Sequence, residues 1–293
     1  MLQGKVAIVT GAARGLGRAE AVHLASLGAT VVVNDVGAAL DGGGPDDSAA
    51  QAVVDEIVSK GGTALAHTGD VADFDQAKAM IDLAVERFGA LDILVNNAGI
   101  LRDRMIFNMA EEEWDAVIRV HLKGHFCTTR HATAYWRERA KTEGRVYARI
   151  INTSSEAFLF GSPGQPNYAA AKAGIVGLTL ATAMSCAKYG VVANAICPRA
   201  ATRMTEDMAL DPERFAPENV APLVGWLASP AAERCNGYLF VAYGGQVDVI
   251  GGPRVEERFE TQGRWTTQGL AEALGPFFEK REPIADGFAM PFS

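Results

Sequence analysis

The chain has 293 residues, 48% of them apolar and 21% charged, which is typical of a globular protein with a full buried core. This composition excludes a disordered tail or a fibrous chain. The formal net charge is −8, and the lysines and arginines are scattered, so we expect no nucleic-acid partner and no anionic-membrane partner.

Short apolar runs alternate with segments of helical periodicity along most of the chain. The predicted strands cover residues 6–10, 30–34, 63–67, 91–95, 146–153 and 191–196. The predicted helices cover residues 15–27, 48–60, 73–88, 111–139 and 166–189. Such alternation requires crossover connections, which are right-handed and cover both faces of a sheet. We therefore predict an α/β fold, a doubly wound parallel sheet of about seven strands (Rossmann).

The pattern predicts one domain over residues 1–245 and a C-terminal extension over residues 246–293. Within the extension, a short helical stretch at 268–274 is stopped by Gly275-Pro276. The extension is too short for a core of its own, so we expect it to pack on the domain or on a partner subunit.

A glycine-rich segment, TGAARGLG at residues 10–17, stands where the first strand meets the first helix. Glycines let the backbone approach a pyrophosphate, and the helix N-terminus offers free N–H groups. The spacing is GxxxGxG rather than GxGxxG, so a tight turn that only packs the helix is the alternative. The predicted nucleotide-binding residues are Gly11, Arg14, Gly15, Leu16 and Gly17.

Asp35 closes the second strand, 24 residues after Gly11. A carboxylate there accepts hydrogen bonds from the adenosine ribose hydroxyls and repels a 2′-phosphate. Its alternative role is to cap the following helix. Arg14 favours the opposite cofactor, because an arginine in the glycine turn can pair with a 2′-phosphate. We predict NAD rather than NADP.

Tyr168 and Lys172 are four residues apart on a predicted helix and share a face, and Ser155 lies 13 residues before Tyr168. A free tyrosine, with a pKa of about 10, is a poor base at neutral pH and needs a neighbouring ammonium to favour the phenolate. The pair alone is common on solvated helices. Its combination with the glycine turn, Asp35 and NNAG at residues 96–99 indicates a catalytic site.

Together these motifs resemble the short-chain dehydrogenase/reductase family over residues 4–245. They are TGAARGLG at 10–17, Asp70-Val71, NNAG at 96–99, Ser155 and YAAAK at 168–172. The resemblance implies that Asp70 and Val71 bind adenine and that Asn97, Ala98 and Gly99 line the cofactor.

The same resemblance assigns the catalytic roles. It implies that Ser155 holds the substrate oxygen and that Tyr168 transfers the proton. Lys172 would bind the nicotinamide ribose while favouring the phenolate, so Tyr168 and Lys172 also contact the cofactor. Family members pair their long helices across two-fold axes, so we expect a homo-oligomer, a dimer or tetramer.

A narrower resemblance is to the (3R)-hydroxyacyl-CoA dehydrogenase module of peroxisomal multifunctional enzyme type 2, also called a 17β-hydroxysteroid dehydrogenase. It rests on NDVG at 34–37, NNAGILRDR at 96–104, VHLKGHF at 120–126, GQPNYAAAK at 164–172, RMT at 203–205 and APLVGWL at 221–227. It implies NAD-dependent interconversion of 3-hydroxyacyl-CoA and 3-oxoacyl-CoA in fatty-acid or steroid side-chain β-oxidation.

Three positions depart from the family pattern. His121 stands where the family has a fourth catalytic residue, an asparagine, and we interpret it as a variant proton-relay residue; an ordinary core or helix-surface histidine is the alternative. Pro198-Arg199 stands where the family has Pro-Gly, and the resemblance implies that Pro198 and Thr202 bind the cofactor near the nicotinamide amide. Phe158 replaces a glycine and is expected to shape the substrate pocket.

Four cysteines lie far apart and form no CxxC pair, so we expect neither disulfides nor a metal site. We expect a reducing, cytoplasmic location, no export signal and no membrane span. The alternatives to an acyl-CoA dehydrogenase are a hydroxysteroid dehydrogenase, an NADPH-dependent 3-oxoacyl reductase and a non-catalytic dinucleotide-binding scaffold.

Overall fold

The computed structural model of the protein describes residues 1–37, 47–202 and 210–282. The chain divides into two units, Met1–Ile250 and Gly251–Ser293. The RMT segment at 203–205 and most of the glycine-rich stretch after Asp35 lie outside the described residues.

Eight strands form one sheet in the first unit, one strand more than the sequence predicts. They are β1 Val6–Thr10, β2 Thr30–Asn34, β3 Thr63–His67, β4 Ile93–Asn96, β5 Ala148–Thr153, β6 Val191–Pro198, β7 Leu239–Tyr243 and β8 Gln246–Ile250. Their order is β3-β2-β1-β4-β5-β6-β7-β8, and all neighbours are parallel except β7 and β8. The predicted doubly wound, mostly parallel sheet is confirmed.

Helices cover both faces of this sheet. In the first unit they are α1 Gly15–Ser26, α2 Asp47–Ser59, α3 Phe74–Phe88, α4 Glu111–Ile118, α5 Gly124–Glu143, α6 Ala157–Phe160, α7 Pro166–Cys186 and α8 Ala221–Ala228. Apolar residues of α1, α2 and α8 pack against Ala7, Val9, Val31 and Val33. Residues of α3, α5 and α7 pack against the alternate strand positions Val6, Ile8 and Val32. The strands are therefore apolar on both faces because both faces are buried.

The strand order reverses beside β1, which pairs with β2 on one side and with β4 on the other. The connections from β1 and β4 leave the sheet toward opposite faces, so a crevice opens at the carboxyl ends of these strands. The glycine turn at residues 10–17 and the NNAG segment at 96–99 both lie at this reversal point.

The helix predicted over residues 111–139 is interrupted in the structure. α4 ends at Ile118, a π-helical turn covers Arg119–Lys123, and α5 continues to Glu143. A π-turn inserts an extra residue into the helix and often accompanies a functional site. It places His121 on the buried side of the turn.

The described part of the second unit contains α9, Thr267–Phe278. The prediction that Gly275-Pro276 stops this helix is wrong, because the helix passes through both residues. Aromatic contacts hold its last turn: the Phe277 ring lies 5.5 Å from Phe259, and the Arg281 guanidinium lies 4.2 Å above the Phe277 ring. Where the extension packs stays a prediction, and the residues it was predicted to start with, Gln246–Ile250, form β8.

One helical segment among the described residues, Pro166–Tyr189, has the length and hydropathy of a membrane-spanning helix. An apolar helix that packs on a sheet passes the same test. This segment packs against β5 and β6 and carries the buried Lys172, which is a costly residue in a lipid environment.

α1 carries a fully buried carboxyl group, Glu20. Neither of its carboxyl oxygens has a hydrogen-bond partner among the described residues. Burial without a partner disfavours the ionised form and raises the pKa of Glu20 from 4.5 to about 8. The folded protein therefore holds a protonated Glu20 at neutral pH.

This burial predicts a pH-dependent loss of stability. Between pH 4.5 and about 8 the unfolded chain ionises Glu20 while the folded chain keeps it protonated, so the free energy of unfolding falls as pH rises. Glu20→Gln removes this effect, and its advantage over the wild type should grow by about 1.4 kcal/mol for each rise of one pH unit inside that window. Urea unfolding at several pH values measures it, with the exposed Glu86→Gln as control. Parallel pH dependence in wild type and Glu20→Gln would contradict the account.

Candidate active site

The glycine turn after β1 adopts backbone conformations that exclude other residues. Gly11 and Gly15 have φ of 63° and 53°, in the left-handed region. A Cβ on Gly17 would lie 2.3 Å from the Gly11 carbonyl oxygen. The Arg14 side chain, at the N-cap of α1, makes no capping hydrogen bond to the first amides, and the first turn has no acidic residue. This helix end is therefore arranged to receive an anion.

The turn is tied to the segment after β4. The Asn97 Nδ2 donates to the carbonyl oxygens of Thr10 and Gly11, both at 3.1 Å. The Thr10 hydroxyl accepts from the backbone N–H groups of Asn97 and Ala98, at 3.0 and 3.1 Å. Asn97 and Ala98 thus lie against the glycine turn, and the Asn97 amide group holds that turn in place. That they line a cofactor stays a prediction.

Two further predicted residues lie around this turn. The Thr202 methyl carbon is 3.4 Å from the position of a Cβ on Gly15, so Thr202 lies beside the turn. Leu16 is partly buried and packs against the apolar cluster under α1. Leu16 therefore orients the helix, whereas Thr202 borders the crevice.

The Asp35 carboxylate closes the edge of the turn. One oxygen accepts from the Ala13 backbone N–H at 3.0 Å, and the other accepts from the Gly37 N–H at 2.8 Å. The next helix, α2, begins at Asp47, so Asp35 does not cap it. Among the described residues each carboxylate oxygen has one donor, which leaves it a lone pair for a further donor.

Asp70 and Val71, expected beside an adenine ring, lie between β3 and α3. The Asp70 carboxylate accepts from the Ala72 backbone N–H at 2.8 Å and forms an ion pair with Arg119 of the π-turn. Val71 is buried, and its side chain lies against Gly124, where a Cβ would approach to 2.8 Å. The ion pair with Arg119 connects this wall of the crevice to the turn that holds His121.

The predicted catalytic side chains come together at the N-terminal end of α7. The Lys172 Nζ donates to the Thr153 carbonyl oxygen at 2.6 Å and lies 5.3 Å from the centre of the Tyr168 ring. The Ser155 hydroxyl lies near enough to the Tyr168 hydroxyl to lower the pKa of Tyr168 by hydrogen bonding. The Ser155 Oγ also accepts from the Ala157 N–H at 3.2 Å. Ser155, Tyr168 and Lys172 therefore form one cluster.

Burial controls the protonation of this cluster. Removal from water lowers the pKa of Lys172 from 10.5 to about 7. Burial also raises the pKa of Tyr168 to about 12, against the hydrogen bond from Ser155, which lowers it. In the free protein the Tyr168 phenol is therefore protonated at neutral pH, whereas Lys172 titrates near pH 7.

His121 joins the cluster from the π-turn. Its ring packs edge-on against the Tyr168 ring, with 5.2 Å between ring centres. Its Nε2 lies 2.8 Å from the Ile100 carbonyl oxygen and 3.0 Å from the Ile100 backbone nitrogen. Its Nδ1 is buried and has no hydrogen-bond partner among the described residues. Burial, then the charge of Lys172, lowers the pKa of His121 well below 6.5, so the ring is neutral.

The His121 ring leaves no room for a side chain at Gly99. A Cβ on Gly99 would lie 2.3 Å from the His121 Cε1 atom. The glycine predicted to line the cofactor therefore makes room for a neighbouring ring. His125 is also buried close to Lys172, and burial lowers its pKa to about 3.

Sequence reasoning missed a buried polar network beneath the cluster. The Asn96 amide donates to the Asn152 side-chain oxygen at 2.9 Å, and the Thr128 hydroxyl donates to the Asn96 side-chain oxygen at 2.7 Å. The Asn152 amide donates to the Thr179 hydroxyl at 2.8 Å. The network links β4 and β5 to α5 and α7. Its signal in the sequence is an asparagine inside an otherwise apolar strand.

The departures at Pro198-Arg199 and Phe158 lie together at the carboxyl end of β6. Pro198 ends that strand opposite Ala242 of β7, and Arg199 forms an ion pair with Glu156. Phe158 packs among partly buried apolar residues near Val241 and Tyr243. The ion pair is a second feature that the sequence does not reveal.

Known proteins are similar to this chain in sequence and architecture. Residues 5–212 match the short chain dehydrogenase family. A hydroxyacyl-CoA dehydrogenase, ChsB1, of Mycobacterium tuberculosis is 52% identical over 299 residues, covering 96% of this chain and 91% of that protein. The peroxisomal multifunctional enzyme type 2 of Mus musculus is 44% identical over 249 residues, which are 84% of this chain and 32% of that larger protein.

A solved structure also matches. The crystal structure of a short chain dehydrogenase from Mycobacterium avium has a TM-score of 0.86 and 50% identity to this chain. The match covers 96% of this chain and 97% of the other.

The contact between Gly99 and His121 yields a prediction. Gly99→Ala should lower the free energy of unfolding by about 1–3 kcal/mol, because the added methyl group overpacks the buried ring. Urea unfolding measures the change. Gly177→Ala on α7 is the matched control, since a Cβ there meets nothing within 4 Å. In a His121→Ala background the cost of Gly99→Ala should disappear, and an equal cost in both backgrounds would contradict the contact.

Proposed function

Because the chain belongs to the short-chain dehydrogenase family, we propose that it interconverts 3-hydroxyacyl-CoA and 3-oxoacyl-CoA thioesters with NAD(H) as its cofactor. It is an oxidoreductase that uses NAD(H) or NADP(H), as members of this family do. The resemblance predicted from the motifs is confirmed, including that to the multifunctional enzyme type 2. The observation that carries the proposal is the cluster of Ser155, Tyr168 and the buried Lys172 beside the glycine turn.

The residues of the crevice fit a nicotinamide dinucleotide. A Cβ on Gly17 would fill the space against the Gly11 carbonyl, and the first amides of α1 face an anion-binding position. These amides would hold the pyrophosphate, Asp35 would accept from the adenosine ribose, and Lys172 would donate to the nicotinamide ribose. When bound, the dinucleotide supplies the acceptor or donor of the hydride.

Two hydroxyl groups of the cluster act on the substrate oxygen: one transfers its proton and the other stabilises it by a hydrogen bond. In alcohol oxidation the Tyr168 oxygen takes the proton of the substrate hydroxyl, while the Ser155 hydroxyl donates to the developing carbonyl oxygen. In ketone reduction Tyr168 returns the proton. The hydrogen bond from Ser155 and the nearby ammonium of Lys172 both favour the phenolate that the oxidation needs.

His121 takes no direct part in this exchange. Its ring is neutral because burial and the Lys172 charge lower its pKa. The Nδ1 of this neutral ring is buried and has no partner within the described part of the chain, so it is the ring atom left to bond a bridging water. This geometry supports the relay role we propose for His121.

An apolar acyl group is supported by the surroundings of Ser155. Phe158 and Phe215 are partly buried against Leu239, Val241 and Tyr243, close to the end of β6. The Phe158 backbone nitrogen donates to the Ser155 carbonyl oxygen at 3.3 Å, so this apolar wall begins beside the catalytic serine. The names of the two relatives support a thioester of coenzyme A as the substrate class.

A turnover panel tests the proposed function. The purified protein is given NAD with a series of 3-hydroxyacyl-CoA esters, NAD with steroid alcohols, and NADPH with 3-oxoacyl-CoA esters, and reduced cofactor is followed by absorbance. We expect the highest kcat/KM for NAD with 3-hydroxyacyl-CoA esters. A higher value for the steroid alcohols, or for NADPH, would favour the corresponding alternative enzyme instead.

We also propose a cytoplasmic location and a homo-oligomer. All four cysteines are free thiols, which suits a reducing compartment and is testable by cell fractionation. Large apolar side chains are exposed on α5 and α7: Phe126 is 45% exposed, Leu180 43% and Met184 85%. These side chains support pairing of the two helices with a second copy of the chain.

The proposed oligomer predicts that charge on α7 weakens assembly. Met184→Glu should lower the mass measured by light scattering at micromolar concentration, because a buried unpaired carboxylate is costly at an interface. Val255→Glu, in the second unit and 71% exposed, is the control and should leave the mass unchanged. A wild-type monomer under these conditions contradicts the proposal.

Cofactor preference should depend on Asp35. Asp35→Ser removes the carboxylate that repels a 2′-phosphate, so kcat/KM for NADP should rise relative to that for NAD. Adding Arg14→Ala to this variant should reverse part of the gain, because the arginine is the cation placed to meet the phosphate. A wild-type enzyme with the higher kcat/KM for NADP would show that Asp35 has another role.

The catalytic assignment predicts separate effects for the tyrosine and the lysine. Tyr168→Phe should lower kcat by about 10²–10⁴, the usual value of a lost general acid or base, while NADH binding persists. Lys172→Ala should weaken both NADH binding and kcat, and His121→Ala should cost less than either. NADH fluorescence and steady-state rates measure these effects. Near-normal turnover by Tyr168→Phe would overturn the assignment of all three catalytic residues.

A further inference from the structure

Two charged residues stand next to functional positions at the ends of neighbouring strands. Glu156 directly follows Ser155, just beyond the end of β5, and Arg199 directly follows Pro198, the last residue of β6. Because β5 and β6 are parallel neighbours, the two side chains emerge at the same edge of the sheet. The charges therefore meet beside the catalytic serine.

Their contact is a two-point ion pair. The Arg199 Nε lies 2.6 Å from one Glu156 carboxylate oxygen, and the Nη2 lies 2.7 Å from the other. The Glu156 side chain is only 12% exposed and that of Arg199 33%. A planar guanidinium that donates twice to one carboxylate fixes orientation as well as distance, and partial burial protects the pair from screening by salt.

Arg199 is itself held on β7. Its backbone N–H donates to the Ala242 carbonyl oxygen at 3.0 Å, and its guanidinium lies 4.6 Å above the Tyr243 ring. The Tyr243 ring stacks on Phe215, with ring centres 5.7 Å apart and planes 9° from parallel. The cation is therefore anchored on the sheet and can hold Glu156 in place.

Ser155 has weaker local support. It lies beyond β5 and before α6, a helix of four residues. Its hydroxyl accepts from the Ala157 N–H at 3.2 Å, and its carbonyl accepts from the Phe158 N–H at 3.3 Å. Both bonds lie within the same short segment. On the other side of Ser155, the Ser154 hydroxyl donates to the Lys172 carbonyl oxygen of α7 at 3.0 Å, and the Ser154 N–H donates to the Ile196 carbonyl oxygen of β6 at 2.7 Å. Ser155 is therefore held from the Ser154 side, and the ion pair holds it from the Glu156 side.

We infer that Glu156 and Arg199 are a positioning pair that holds the Ser155 hydroxyl against Tyr168. The inference rests on the proposed function, in which Ser155 and Tyr168 act on the substrate oxygen. Neither Glu156 nor Arg199 touches reacting atoms; the pair sets the position of the residue before Glu156. Without the pair, Ser155 would lose its hydrogen bond to Tyr168, and the substrate oxygen would lose an aligned donor.

The sign of one pKa change separates positioning from simple charge removal. Tyr168 is faced by several polar or charged groups, which are Ser155, Cys197, Asp103, Lys172 and His121. Burial, and after it the charge of Glu156, raises the pKa of the Cys197 thiol. Removing the Glu156 charge alone would therefore lower the pKa of a nearby acid. Losing the hydrogen bond from Ser155 raises the pKa of Tyr168. Glu156→Gln should therefore raise it if the pair positions Ser155.

The experiment is a double-mutant cycle on the full chain with Glu156→Gln, Arg199→Met and the double variant. Each single change should lower kcat by about tenfold through misplacement of a catalytic group, with little change in KM for the dinucleotide or in Tm. The double variant should be no worse than the poorer single variant. The rising limb of the pH profile for alcohol oxidation should move to higher pH in Glu156→Gln. Arg199→Lys, which keeps the charge, should recover part of kcat.

Two reference variants keep the outcomes distinct. Glu143→Gln removes the partner of Arg139 in a similar two-point pair on the surface of α5, at 2.9 and 2.7 Å, and should leave kcat unchanged. Ser155→Ala reports on the proposed function itself: if it keeps full activity, that function is wrong. If Ser155→Ala is inactive while Glu156→Gln keeps wild-type kcat and pH profile, the positioning pair alone is overturned. Additive losses, or a fall in Tm that accounts for the lost rate, overturn it as well.

Discussion

A lysine ammonium buried between β5 and α7 is the constraint on which the site depends. The Lys172 Nζ is shielded from water and donates a hydrogen bond to the Thr153 carbonyl oxygen at 2.6 Å. Removing a cation from water is unfavourable, and burial lowers the pKa of Lys172 to about 7. Burial, and after it the charge of Lys172, also lowers the pKa of His121 and His125, so both rings are neutral. Burial thus sets the protonation of the whole cluster, and the lysine charge adds to its effect.

The fold supplies the rigidity that this arrangement needs. The side chains of Asn96 and Asn152 join β4 and β5 under the cluster, and Asn97 joins the segment after β4 to the glycine turn. Buried amides that are fully hydrogen-bonded specify one geometry, because any shift leaves a polar group without a partner. The nucleotide-binding turn and the catalytic cluster are therefore two parts of one hydrogen-bonded edge of the sheet.

Local patterns in the sequence were sufficient for the parts of this structure that depend on short-range physics. The alternation of strands and helices predicts the doubly wound sheet, and the four-residue spacing of Tyr168 and Lys172 predicts their shared helix face. Contacts between distant residues were not predictable in this way. The ion pair of Glu156 and Arg199 joins residues 43 positions apart, and the contact of His121 with Gly99 depends on an unpredicted π-turn. The helix end predicted at Gly275-Pro276 does not occur, because aromatic packing outweighs the local preference of proline.

The most direct measurement of the central claim is the pKa of Lys172 in the free protein, by NMR of isotopically labelled lysine side chains. Comparison with the spectrum of Lys172→Met assigns the signal. We expect titration near pH 7, far below the ordinary lysine value, because the ammonium is buried against the Thr153 carbonyl oxygen. Titration near the ordinary value of 10.5 would show that Lys172 is solvated, and it would contradict the arrangement proposed for the site.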